Sequence, residues 1–139
     1  MKHNLILRVI AKFLIPFIIL FALYVQFHGD WSPGGGFQAG VIFSSAFILY
    51  SLVYGLEPAE RIIPIQILQT LASLGVLIYI GTGVATLLLG GQFLNYNVLA
   101  DTPTAGQHIG ILVIELGVGI TVASVMIMIF FTFAGRGRQ

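Results

Sequence analysis

The chain has 139 residues, of which 58% are hydrophobic and 8% charged, with a formal net charge of +1; a soluble domain carries about 25% charged residues. Six basic and five acidic side chains cannot solvate the surface of a globule in water, and a mean hydropathy of +1.01 points to a bilayer as the solvent. Without cysteine there is no disulfide, thiolate nucleophile or cysteine-ligated cluster. The three scattered histidines make a poor metal site, so no metal and no cofactor are expected, and the few basic residues form no surface for nucleic acid.

Four apolar stretches, at about 9–27, 36–54, 65–89 and 109–134, are long enough to cross the hydrocarbon, which takes about 20 residues of helix. The first follows basic residues, as a signal peptide does. It lacks a small-x-small cleavage site and three spans come after it, so it reads as a membrane helix. The outer turn 28–35 is rich in Gly and Pro; Ser32 followed by Pro33 resembles an N-cap and first helical position for the second span. Residues 55–64 form a short inner connection whose Glu57, Glu60 and Arg61 read as solvated charges. The outer segment 90–107 is long, and its Phe93, Leu94, Tyr96, Val98 and Leu99 suggest a stretch lying along the interface or against a neighbouring subunit.

The predicted fold class is an all-α integral membrane protein, a bundle of four transmembrane helices forming a single membrane domain over 1–139. Lys2, Arg8, Lys12, Arg61, Arg136 and Arg138 all fall on the face that holds both termini, and the two connections on the other face carry no Lys or Arg. The positive-inside rule then predicts both ends in the cytoplasm. Arg8 and Lys12 can snorkel to that interface, and Trp31, Tyr24 and Tyr96 fit an aromatic belt.

Glu115 is the one acid well inside a predicted span. Holding it there ionised costs on the order of 2.5–3.5 kcal/mol on insertion scales, so it should face protein or a water-filled cavity. His108 lies seven residues earlier and therefore within about 20° on the same helix face. Thr82 and Thr86, four apart on the third span, are expected at a similar depth, and the four residues together suggest a polar half-channel open to the outside. The bland alternatives are an acid bonded across a helix interface, an ordinary interfacial histidine, and threonines bonding their own i−4 carbonyls. Gly36, Gly40 and Ser44 form a small-residue ridge at i, i+4, i+8 that lets another helix approach closely, and Gly117, Gly119 and Ala123 do the same on the last span. His28 and Asp30 are candidates for gathering cations at an outer entrance, with ordinary solvated turn residues as the alternative.

The stretch HGDWSPGGGFQAGVI, 28–42, and the later TPTAGQHIGILVIELGVG, 102–119, resemble the B subunit of Mrp-type multisubunit sodium/proton antiporters along the whole chain. The chain is also similar to the equivalent subunit in the sodium-translocating module of membrane-bound hydrogenases. The resemblance implies a small, non-redox, multi-pass subunit in the cytoplasmic membrane of a prokaryote. It implies a hetero-oligomer with other antiporter subunits, no enzymatic reaction, and Na+ and H+ as transported ions, not cofactors. Within the PGGGF element the Pro and Phe map to Pro33 and Phe37, with Gly34, Gly35, Gly36 and His28 in the same motif. The acid of the ELGVG element maps to Glu115. A self-sufficient exporter of cationic drugs fits less well, because those transporters carry their membrane acid in the first helix and this first span has none.

Overall fold

The computed structural model describes residues 2–29 and 34–138. Among them are no strands; five α-helices follow one another as α1 (Lys2–Phe27), α2 (Gly36–Tyr54), α3 (Leu56–Ile62), α4 (Ile65–Leu88) and α5 (Pro103–Gly135). All but α3 are long and apolar enough to cross a membrane. The second and third expected spans match α2 and α4 closely. The last helix begins at Pro103 instead of near 109, so the outer connection expected over 90–107 is shorter than its sequence suggests. The reason is local: Thr102 caps the helix, its hydroxyl accepting from Ala105 N at 3.4 Å, and Pro103 takes the first helical position.

The start of α2 also departs from expectation. Its cap is Gly35, in extended backbone and with no side-chain cap, and helix begins only at Gly36; Ser32 and Pro33 lie outside the described residues. Successive glycines each disfavour helix by about 1 kcal/mol relative to Ala, which opposes winding through 34–35. At the inner end Gly55, with φ +102°, makes the sharp corner from α2 into α3, a backbone state open to glycine. The short α3 buries Leu56 and Ala59 against Leu68, Ile127 and Phe131, and leaves the Glu57–Arg61 pair exposed in solvent. An exposed pair of this kind contributes little stability. The phenol of Tyr54 donates to the Arg8 carbonyl at 3.0 Å while the Arg8 guanidinium stands over its ring, tying the start of α1 to the end of α2.

Packing runs α1 on α2, α2 on α5 and α5 on α4, with α5 between its two neighbours. Both contacts of α5 are made where side chains are missing. A Cβ on Gly36 would collide with the Glu115 carbonyl oxygen, and one on Gly40 would lie 2.7 Å from that of Gly119. On the opposite side of α5, a Cβ on Gly117 would lie 2.8 Å from the carbonyl of Gly75, and the Thr121 hydroxyl donates to Ala72 O across the gap at 3.3 Å. Gly36 and Gly40 of the ridge therefore face α5 as the spacing suggests, and Ser44 is buried with them.

The connection between α4 and α5, expected on the outer side, folds back onto its own helices. Helix α4 ends in a Schellman motif: Gly90, at φ +84°, donates to Leu87 O and Gly91 to Thr86 O. The Phe93 ring then fills the notch at Gly83 and the Tyr96 ring the notch at Gly110. Burial, and secondly the nearby Tyr79, push the Tyr96 phenol above its ordinary 10.0. The neutral phenol is thus favoured in the fold, and this contribution is kept below pH 10 and lost as pH climbs through the raised value. Leu94 adopts φ +61°, unusual for a branched residue. It is held by its N–H, which donates to the Thr86 hydroxyl at 2.9 Å.

Glycines in the helix contacts should be intolerant of a methyl group and others should not. Gly40→Ala is expected to lower thermal stability of the assembled protein by about 1–3 kcal/mol through overpacking. In contrast Gly135→Ala, whose Cβ would meet only Leu56 Cδ2 at 3.7 Å, should be neutral or slightly stabilising. Thermal melts of the two variants check both expectations.

Candidate functional site

Helix register carries Glu115 to the α1–α2 turn. Because Gly36 sits on the Glu115 backbone, the carboxyl one residue-length away reaches the glycines that close that turn. A Cβ on Gly29 would lie 2.5 and 2.7 Å from its two carboxylate oxygens, and one on Gly35 would lie 3.0 Å from Oε1. Among the described residues, the half-buried acid packs against a collar of backbone at 29, 35 and 36, where side chains are absent. The ELGVG element explains the placement. Glu115 and Gly119, four apart, share the face toward α1 and α2, whereas Gly117, about 200° round from Glu115, faces α4.

The other sequence candidates fall in different places. His108 is exposed on α5 about two turns outward of Glu115, on the same face. His28 stacks on Tyr24 with ring centroids 4.2 Å apart, beside the collar at Gly29. Phe37 points away from the bundle, 60% exposed, and Gly34 lies against Val25. Pro33 and Asp30 lie outside the described residues, as does Trp31. Thr82 and Thr86 are buried on the α4 side of α5, across that helix from the carboxyl. Thr82 donates to Ile78 O at 2.8 Å, and Thr86 donates to Gly83 O at 2.7 Å while accepting from Leu94 N. The expected grouping of all four residues along one channel is not what the fold assembles: Gly117, two residues from the acid, meets Gly75 and Ile78, and Thr82 and Thr86 lie about one and two turns beyond Ile78 toward the end of α4, on another azimuth.

A step stands over the collar. Helix α5 runs twelve residues outward of Glu115 to Pro103, about 18 Å, whereas α2 starts level with the carboxyl. His108, Ile109 and Leu112 are exposed along the riser of this step. Sequence reasoning missed Gln26, which lies one helical turn inward: its Oε1 rests on Gly119 and its side chain is buried.

The family described as a domain related to the MnhB subunit of the Na+/H+ antiporter matches residues 6–128. The chain belongs to the MnhB family of antiporter subunits. Among its relatives are proteins of Staphylococcus aureus strains Newman, JH1 and Mu3 named as antiporter subunit mnhB2, each 35% identical over 143 residues covering 100% of both chains. The protein is thus a multi-pass subunit of an Mrp-type Na+/H+ antiporter in a bacterial cell membrane, and these names do not favour the hydrogenase assembly as its home.

The Thr86 hydroxyl should matter to the fold of the outer connection. Thr86→Val is expected to cost about 1–3 kcal/mol by leaving Leu94 N without its acceptor, seen as faster amide exchange over 91–98 with α1 and α2 unaffected.

Proposed function

We propose that Glu115 in its backbone collar is an ion-handling carboxyl of the antiporter, reached from outside along the His108 face of the step. The observation that carries this reading is the packing of both carboxylate oxygens against glycines 29 and 35. At three positions around the acid, Glu115 meets backbone alone, so peptide groups, hard oxygen donors among them, stand beside the carboxylate where a cation would be shared. Exchange at such a site requires the carboxyl to carry a proton in one state and face a cation in the other. A carboxyl held by backbone, with no lysine or arginine of this chain at its end of the helices, is suited to both.

The basic residues at the opposite end support an orientation with both termini in the cytoplasm, which opens the step to the exterior. In this reading Thr82 and Thr86 serve the fold of α4 and the outer connection. Sister subunits of the hetero-oligomer supply the rest of the ion route. The chain itself performs no enzymatic reaction and needs no cofactor, Na+ and H+ being the cargo. The rival reading, in which Glu115 only helps hold the assembly together, draws on the same close packing and makes a different prediction.

Glu115→Gln keeps the size of the side chain and much of its hydrogen bonding but removes titration. Sodium/proton exchange measured in membrane vesicles should fall to background while the purified complex retains its full set of subunits. Undiminished exchange, or loss of the complex, would count against an ion-handling role. His108→Ala is expected to slow exchange without abolishing it and without loss of assembly.

A further inference from the structure

Helix α4 buries Leu68, Gly75, Thr82 and Thr86 in the bundle. At about 100° per residue these four lie within about 40° of one another around the helix. On the opposite side of the same helix stand Gln66, Thr70, Ser73 and Leu77, with Gln69 beside them, and all five are exposed. Together with Leu74 they line a shallow depression in the surface. Two carboxamides and two hydroxyls therefore form a ribbon about 100° wide that points away from the bundle. The Thr70 and Ser73 hydroxyls donate to Gln66 O and Gln69 O at 2.9 Å, which leaves them lone pairs to offer. Among the described residues, nothing is hydrogen-bonded to the carboxamides of Gln66 and Gln69.

The margins of the ribbon identify what meets it. Ile65 and Ile67 flank it at the level of Gln66, and Leu74 and Val76 at the level of Ser73, each of them exposed and about 80–100° to one side. Water at those heights would select polar residues on the flanks as well, and lipid would select none on the face. The exposed face of α1 is of the kind lipid selects: Phe13, Phe17, Leu20 and Phe21 stand out from it, and residues 13–23 hold no hydrogen-bonding side chain. A polar strip the width of a single helix contact, edged by apolar residues, is the pattern of a helix interface in a membrane. There amides and hydroxyls bond across, and small residues let backbones approach. We infer that the ribbon is where one transmembrane helix of a sister subunit docks on α4, with amide, hydroxyl or carboxyl side chains set against Gln66 and Gln69. Gly81 lies about two turns beyond Ser73 toward the same side. It is exposed, with nothing within 4 Å of a Cβ built on it, so the docked helix can continue close to α4. Helix α4 then faces the body of the antiporter and α1 the lipid. This contact follows from membership of a multisubunit antiporter and does not depend on the role of Glu115.

The assembled antiporter in native membranes, carrying a diazirine analogue of leucine at Leu77 on the ribbon or at Leu20 on α1, tests this by irradiation and peptide mass spectrometry. The two leucines are 63% and 61% exposed, so they compare like with like. Crosslinks from position 77 to a transmembrane peptide of one sister subunit are expected, at least tenfold above those from position 20, whose adducts should be lipid. Gln66→Leu combined with Gln69→Leu keeps near-isosteric, helix-forming side chains. It should lower the crosslink from 77 at least threefold and leave the lipid adducts of 20 unchanged. Lipid adducts alone at 77, a crosslink to a second copy of this chain, or a crosslink indifferent to the double variant would overturn the assignment. So would modification of Gln69→Cys by a charged thiol reagent in the assembled complex, which would mark a water-filled cleft.

Discussion

Backbone contact between α5 and its two neighbours is the constraint on which the rest of this structure depends. In a bilayer, apolar side chains gain nothing by leaving lipid for one another, so helices associate where small residues let their backbones approach. Here Gly36 and Gly40 of α2 meet Glu115 and Gly119 on one side of α5, and Gly75 of α4 meets Gly117 on the other. A contact of this kind tolerates little sliding, because one residue of shift brings a side chain against a carbonyl. It therefore sets the register of α5 against the α1–α2 turn, and through that register the place of the only acid in the spans.

The same constraint explains what could and could not be read from the amino-acid order. The spans at 36–54 and 65–89 were legible because uninterrupted hydropathy marks them. The last helix starts six residues before the expected 109, because hydropathy reports where the chain turns apolar and not where it becomes helical; the Thr102–Pro103 cap is the local signal of its true start. Glu115 stands out because acids in hydrocarbon are costly. Its neighbours at Gly29 and Gly35 do not stand out, since they meet it only through the tertiary register of a turn some 80 or more positions away in the chain. Thr82 and Thr86 show the converse: that they share a span can be read from sequence, but neither their height against Glu115 nor their azimuth around the neighbouring helix can. The glycines at 83 and 110 serve as notches for Phe93 and Tyr96 of the connection between α4 and α5, which no local pattern in the sequence marks.

Packing and the proposed ion site are hard to separate in such a subunit because one set of glycines lies at both. Removing side chains at 29, 35 and 36 brings α2 and the turn onto α5 and, at the same stroke, leaves the carboxyl surrounded by peptide groups. The unequal lengths of the helices add an approach from one side: α4 and α5 continue past the level at which α2 begins, so the acid sits at the foot of a step. On the reading proposed above, a subunit built this way is scaffold and candidate pathway together.

The account is tested most directly by an experimental density map of the assembled antiporter at side-chain resolution. It predicts the Glu115 carboxyl against the backbone of Gly29 and Gly35, with Gly36 and Gly40 in contact with the α5 main chain. A carboxyl turned toward α4 or toward lipid, with the α1–α2 turn standing clear of it, would contradict it.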